Sequence, residues 1–119
     1  MANMFKKIEW TAHSLMKMKQ YGLSKSKLMK ILYKPERKEQ GIVPGTMAVM
    51  ETKKIYSNIK TKPTAFTKAV RPPGEIWLMY KEEKQSRRVI SAWRYPGISK
   101  PGEEIPMPKD IREEMLKTY

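Results

Sequence analysis

The sequence predicts an α+β domain: a short strand and a helical pair, a four- to five-stranded, mostly antiparallel sheet, and a short C-terminal helix. Three observations predict it. Apolar residues recur at helical spacing between residues 12 and 34, the period changes to two after Pro35, and Pro-Gly pairs punctuate the later strands. At 119 residues the chain can build one core and not two.

Phe5 to Trp10 alternates weakly, with Phe5, Ile8 and Trp10 apolar, and reads as a first strand. Thr11 can cap a helix from Ala12 to Tyr21, and Gly22 supplies the left-handed residue that ends it. Ser24 caps a second helix, with Leu23 before it positioned to staple onto Leu28. Leu28, Ile31 and Leu32 form its buried stripe, and Pro35 stops it by disfavouring helical backbone at the preceding residue. Arg37 to Ile42 and Thr46 to Glu51 then read as a hairpin about Pro44-Gly45, with Met47 and Val49 on one face. Residues 52–73 carry Lys53, Lys54, Lys60, Lys62, Lys68 and Arg71, three prolines and no acid, and read as a long extended loop. Glu75 to Lys81 is apolar on both faces and therefore central, and Arg88 to Tyr95 follows after a charged hairpin tip. Residues 98–119 form a proline- and glycine-rich linker and a helix over about 109–117, with Pro108 near its start, appended to a domain of residues 1–97. The helical pair is expected on one face of the sheet, with the other face left free.

Charge bounds the function. Twenty-five basic residues against twelve acidic ones give +13 and a pI near 10. Five of the acids (Glu103, Glu104, Asp110, Glu113 and Glu114) fall in the last seventeen residues, so the preceding chain is more basic still. Such a surface repels itself unless a polyanion lies nearby, which points to RNA, DNA or an anionic membrane. Membrane binding wants bulky apolar residues opposite the lysines, and the apolar side of the first helix is needed for the core. The longest apolar run, Ile76 to Tyr80, is far below a membrane span, and no apolar segment follows Lys6 and Lys7 as a secretory signal requires. With no cysteine and one histidine, neither a thiolate nor a histidine-rich metal site is expected, and no cofactor is implied. A cytoplasmic location is the corresponding expectation.

The pattern Thr11-x-His13-Ser14-x-x-x-Met18, then Gly22-Leu23-Ser24, Leu28, Ile31-Leu32 and Pro35, resembles the DUF4258 proteins, small bacterial domains. These open on a Thr-x-His-Ala helix, a Gly-Ile-Ser turn and a second helix ending in proline. That group is similar in turn to the RelE and BrnT toxins of toxin–antitoxin systems. The resemblance spans residues 8–51, and residues 75–95 only as strands. It implies a RelE-like fold and, in its strongest form, metal-independent RNA cleavage in which the 2′-hydroxyl of the RNA is the nucleophile. Such a reaction needs a proton acceptor, cations for the phosphate and an acid for the leaving oxygen. His13, Arg37, Arg94 and Tyr95 are the candidates, with Tyr80, Arg87 and Arg88 behind them.

Each candidate has a structural alternative. His13 can serve packing or capping near a helix start. Arg37 can pair with Glu39, two residues away on the same strand face. In the cluster Trp93-Arg94-Tyr95, an arginine between two aromatics can hold a phosphate and stack a base, or Trp93 can fill the core. Lys53, Lys54, Lys60, Lys62, Lys68 and Arg71, with Tyr56 and Phe66 interleaved, are expected to follow a phosphate backbone together with Arg87, Arg88, Trp93 and Arg94. Lys17, Lys19, Lys25, Lys27, Lys30 and Lys34 make a second basic surface, the side on which the toxins meet an acidic antitoxin protein. The leading expectation is therefore an RNA- or ribosome-associated binding protein. An endoribonuclease toxin and a DNA-binding regulator are the alternatives. The second helix offers no Asn, Gln or Arg to read base edges, which counts against the regulator.

Overall fold

The computed structural model describes residues 6–53 and 74–119. Lys54, Lys60, Lys62, Lys68 and Arg71, expected on the loop, lie outside them. The element order is β1 (Lys7–Trp10), α1 (Ala12–Tyr21), α2 (Lys25–Tyr33), β2 (Arg37–Gln40), β3 (Thr46–Lys53), β4 (Gly74–Glu82), β5 (Ser86–Tyr95) and α3 (Lys109–Thr118). This is an α+β domain on one five-stranded sheet of order β1-β5-β4-β3-β2, antiparallel except where β1 runs parallel to β5. β3 continues two residues beyond the expected hairpin arm, because Thr52 and Lys53 still pair with Glu75 and Gly74.

The helix ends follow local chemistry. The Thr11 hydroxyl accepts from Ser14 N–H at 3.1 Å, and Gly22 closes α1 at φ 66°, in the left-handed region that glycine enters without steric cost. The Ser24 hydroxyl accepts from Lys27 N–H at 3.1 Å, and Leu23 and Leu28 are both buried in the same cluster. Thr11 also ends β1, donating from its backbone and hydroxyl to Val89 O at 3.2 and 3.1 Å. The chain thus passes from strand to helix while still attached to β5. α1 continues along β5, where β1 has already ended, and the carbonyls of Tyr21 and Gly22 at its end accept from Arg94.

Two apolar clusters sandwich the sheet. Leu28, Ile31 and Leu32 of α2 pack with Met18, Val49, Leu78, Tyr80 and Val89. On the opposite face, Ile105, Ile111 and Met115 pack with Ala48, Met50, Trp77, Met79, Ile90 and Trp93. The expectation that this second face is free is therefore corrected: residues 98–119 cover it. α3 carries an apolar pair one turn apart, Ile111 and Met115, and both are buried on that face. A register shift opposite Met79–Tyr80 leaves Ile90 without a partner on β4: Val89 and Ala92, three residues apart, share the first cluster while Ile90 lies in the second, so the alternation slips by one residue there.

Candidate nucleic-acid interface

The four residues expected to support catalysis do not converge. His13 stands at the start of α1 with Nε2 3.1 Å from the hydroxyl of the buried Ser91. Burial and then the neighbouring Lys17 ammonium hold its pKa below the usual imidazole value, against the opposing pull of Glu114 and Asp110. Arg94 lies beyond the other end of α1, roughly 13 Å along the helix axis at 1.5 Å per residue. Its Nε donates to Tyr21 O at 2.7 Å and its Nη2 reaches Gly22 O at 3.4 Å. A cation bonded to the last carbonyls of a helix is a C-terminal cap, and the macrodipole favours it there.

Arg37 is on the opposite face of the sheet, in the row Arg37–Met50–Trp77–Trp93 that crosses β2 to β5. Three strand spacings, roughly 14 Å, separate it from β5. Its guanidinium lies 5.1 Å over the Trp77 ring, and Nη1 and Nη2 donate to the Ser99 carbonyl and hydroxyl at 3.2 and 2.8 Å. Nε is 3.1 Å from Glu39 Oε2, close enough for an ion pair but out of line for a hydrogen bond. Ser99 in turn donates from its hydroxyl and N–H to Glu75 at 2.7 and 3.0 Å, and Trp77 Nε1 donates to Glu75 at 2.9 Å. This network ties the chain after β5 to the sheet. Arg37 is built into that tie, as the ion-pair alternative anticipates. Tyr95 pairs with Glu75 across β4 and β5 and is partly buried against the second cluster, its ring 3.2 Å from the position a side chain at Gly97 would take.

The residues expected to contact nucleic acid divide likewise. Trp93 is corrected to a core residue: it is 0% exposed, stacked on Trp77, with Nε1 donating to Pro106 O at 2.8 Å. No base can stack on it, because residues 105–115 already cover that face. Arg87 and Arg88 are successive strand residues that point to opposite faces, so one flat partner cannot meet both head-on. Arg87 lies 5.4 Å over the Tyr80 ring and 3.3 Å from Glu82, while Arg88 approaches Glu83 at 3.4 Å. Lys53 is exposed at the end of β3.

A different set of cations is left available. Lys19 on α1, Lys25, Lys30 and Lys34 on and after α2, and Lys38 on β2 are exposed. Among the described residues no carboxylate forms a salt bridge with any of them, and residues 1–5 and 54–73 contain no Asp or Glu. The acids of the same half are already engaged. Glu51 pairs with Lys27, Glu39 with Arg37, Glu36 accepts from the Thr52 hydroxyl, and Glu9 accepts from Ser86. Lys30 and Lys34 are one turn apart on the solvent side of α2. Lys38 opposes Val49, whose side chain is in the α2 cluster, so it projects on the same side of the sheet. Lys38 is not among the residues expected to meet nucleic acid. The strand alternation Arg37-Lys38-Glu39-Gln40 is the signal that could have found it, since Arg37 and Glu39 go to one face and Lys38 and Gln40 to the other.

Among the described residues, no group of three or more His, Cys, Asp or Glu is placed to hold a metal ion, and no helix is long and apolar enough to cross a membrane. Compared with protein-family models, curated proteins and solved structures, the chain matches none.

Proposed function

We propose that this protein binds RNA through the phosphate backbone, using the cationic surface of Lys19, Lys30, Lys34 and Lys38. One observation carries the reading: these cations are exposed without carboxylate partners among the described residues, while the acids around them are committed to internal contacts. A surface whose charge is not neutralised from within the fold gains most from a polyanion that brings its own counterions to release. The six cations between residues 53 and 71 add to the same charge. RNA is favoured over sequence-specific DNA reading because the exposed positions of α2 are Lys, Ser and Tyr, which hold phosphates more readily than they identify base pairs. A cytoplasmic, ribosome- or RNA-associated setting belongs to the same proposal. Binding without cleavage is preferred, since His13, Arg37, Arg94 and Tyr95 are occupied in separate contacts.

The test is RNA affinity measured across a salt series with the intact chain. Log affinity is expected to fall linearly with log salt. Lys30→Ala/Lys34→Ala/Lys38→Ala should weaken binding and flatten the slope by about 0.7 for each phosphate that is no longer neutralised. A flat response in the parent protein, or an unchanged slope in the triple variant, would refute the reading. The same incubations in EDTA report on cleavage, and intact RNA is expected.

A further inference from the structure

Charge separates two of the open clefts among the described residues. The first is lined by Arg94, Tyr95 and Arg112 together with Glu103 and Glu104. Its arginines are spent: Arg112 is bonded to Glu104, and Arg94 caps α1. It offers an anion nothing. The second, of about 740 Å³, lies between the β2–β3 turn and the end of β4, and Lys38, Gln40, Met47 and Glu82 line it. Its one acid, Glu82, is bound by Lys6 and lies 3.3 Å from Arg87, so the rim remains net cationic. Burial pulls the Glu82 pKa upward, but these two cations together hold it below the usual carboxylate value, which keeps it paired.

The walls of this second cleft are preformed. Gly41 N–H donates to Thr46 O at 2.9 Å, and Thr46 donates to Val43 O from its N–H at 3.1 Å and from its hydroxyl at 2.6 Å. The floor is Met47, half-buried against the α2 cluster, and Gln40 is its exposed neighbour directly across the strand pair. A thioether beside an aromatic ring is a favourable contact, and a glutamine amide can donate to and accept from a base edge at once. The volume falls within the roughly 300–1,000 Å³ of small-ligand sites. Lys38 on the lining faces the same side of the sheet as α2, which carries the exposed Lys30 and is followed by the exposed Lys34.

From this arrangement we infer that the cleft receives one unstacked nucleotide of a single-stranded RNA, its base over Met47 and against Gln40, its phosphate beside Lys38. The inference rests on the RNA-binding reading and sharpens it, because the bases of a duplex are stacked and paired and cannot enter. Lysines alone would hold single and double strands with little preference.

The deciding experiment is fluorescence anisotropy of labelled RNA with the full chain at a single salt concentration. Three ligands of equal length are compared: a single strand, its duplex, and the single strand with abasic riboses that keep every phosphate. The single strand is expected to bind at least about tenfold tighter than either of the others, the size of one stacked base. Gln40→Ala, on an exposed edge position, should erode that preference and leave abasic binding unchanged. Equal affinity for all three ligands, with the salt dependence retained, would overturn the cleft and leave the phosphate-binding reading standing. Absence of binding to all three would overturn both. A preference confined to an acidic polypeptide competitor would mean that the rim serves a protein partner, and would also overturn the inference.

Discussion

Trp77 and Trp93, directly opposed on β4 and β5, lie with ring planes 2° apart and centroids 6.1 Å apart, both at 0% exposure. Each indole N–H is bound, Trp77 to Glu75 and Trp93 to the Pro106 carbonyl, so the pair joins the sheet to the segment that covers it. Truncating a buried tryptophan removes transfer energy and leaves a cavity.

Trp93→Ala is therefore expected to destabilise the fold by about 3–5 kcal/mol, measured by urea unfolding. RNA affinity per folded molecule, measured at low temperature, should be unchanged. A stable Trp93→Ala protein without RNA affinity would return this residue to the interface.

Arg37 and Ser99 form a second joint. The Ser99 hydroxyl accepts from Arg37 and donates to the buried Glu75, so removing either partner leaves polar groups of a partly buried network without their bonds. Each of Arg37→Ala and Ser99→Ala should cost about 1–3 kcal/mol. The double variant should cost less than the two singles together, since both remove the same bonds. Limited proteolysis should cut within residues 98–108 faster in all three than in the parent protein. Strict additivity in unfolding experiments would show that the two side chains do not act as one unit.

His13 gives a pH dependence of defined sign. Its pKa is lowered in the fold, first by burial and then by Lys17, so the unfolded chain binds the proton more readily. Stability from this source is fully present above the ordinary imidazole value of about 6.5 and declines as pH falls below it. The melting temperature, followed from pH 8 to 5.5, should drop in the parent protein and drop less in His13→Gln, which can still reach Ser91. Parallel curves would remove His13 from the account.

What the sequence made legible was chemistry that acts over four or five residues. Thr11, Gly22, Ser24 and Pro35 bound the helical pair because caps and breakers work through the adjacent backbone. The central place of β4 was readable from apolar residues on both its faces. The opposite face of the sheet was not readable. Its cover is supplied by Ile105, Ile111 and Met115, and a helix's own pattern shows that it needs a partner without showing which one. The misplacement of Trp93 has the same origin, since an aromatic beside Arg94 reads as a stacking platform only if nothing lies over it. For Arg37, Glu39 was visible as a neighbour, whereas Ser99, sixty-two residues away, became a partner only through the fold. The parallel pairing of β1 with β5 and the unpartnered Ile90 on β5 are likewise products of long-range register.

Gly41 offers a steric test of the turn beside the cleft. A side chain there would collide with the Thr46 hydroxyl and lie 2.9 Å from Met79 Sδ. Gly41→Ala should destabilise the protein by about 1–3 kcal/mol, the usual range for overfilling a packed site. Gly45→Ala makes no such collision, but its φ of 83° makes any side chain strained there too. Thermal unfolding of Gly41→Ala/Thr46→Ser separates the hydroxyl from the methyl as the obstacle. Because serine lacks the methyl but keeps the hydroxyl, little recovery is expected if the hydroxyl is responsible.

The order of strands has a consequence for how the molecule behaves in a crowded solution. The three long strands, of eight, nine and ten residues, all lie inside the sheet, and the two outermost are four residues each, Lys-Ile-Glu-Trp and Arg-Lys-Glu-Gln. A short border rich in charge gives a neighbouring chain little length on which to add a strand, and like charge repels a second copy. The apolar residues that make the core are thereby kept away from the places where sheets fuse into aggregates. The same lysine-rich composition that attracts a polyanion also protects the chain from itself.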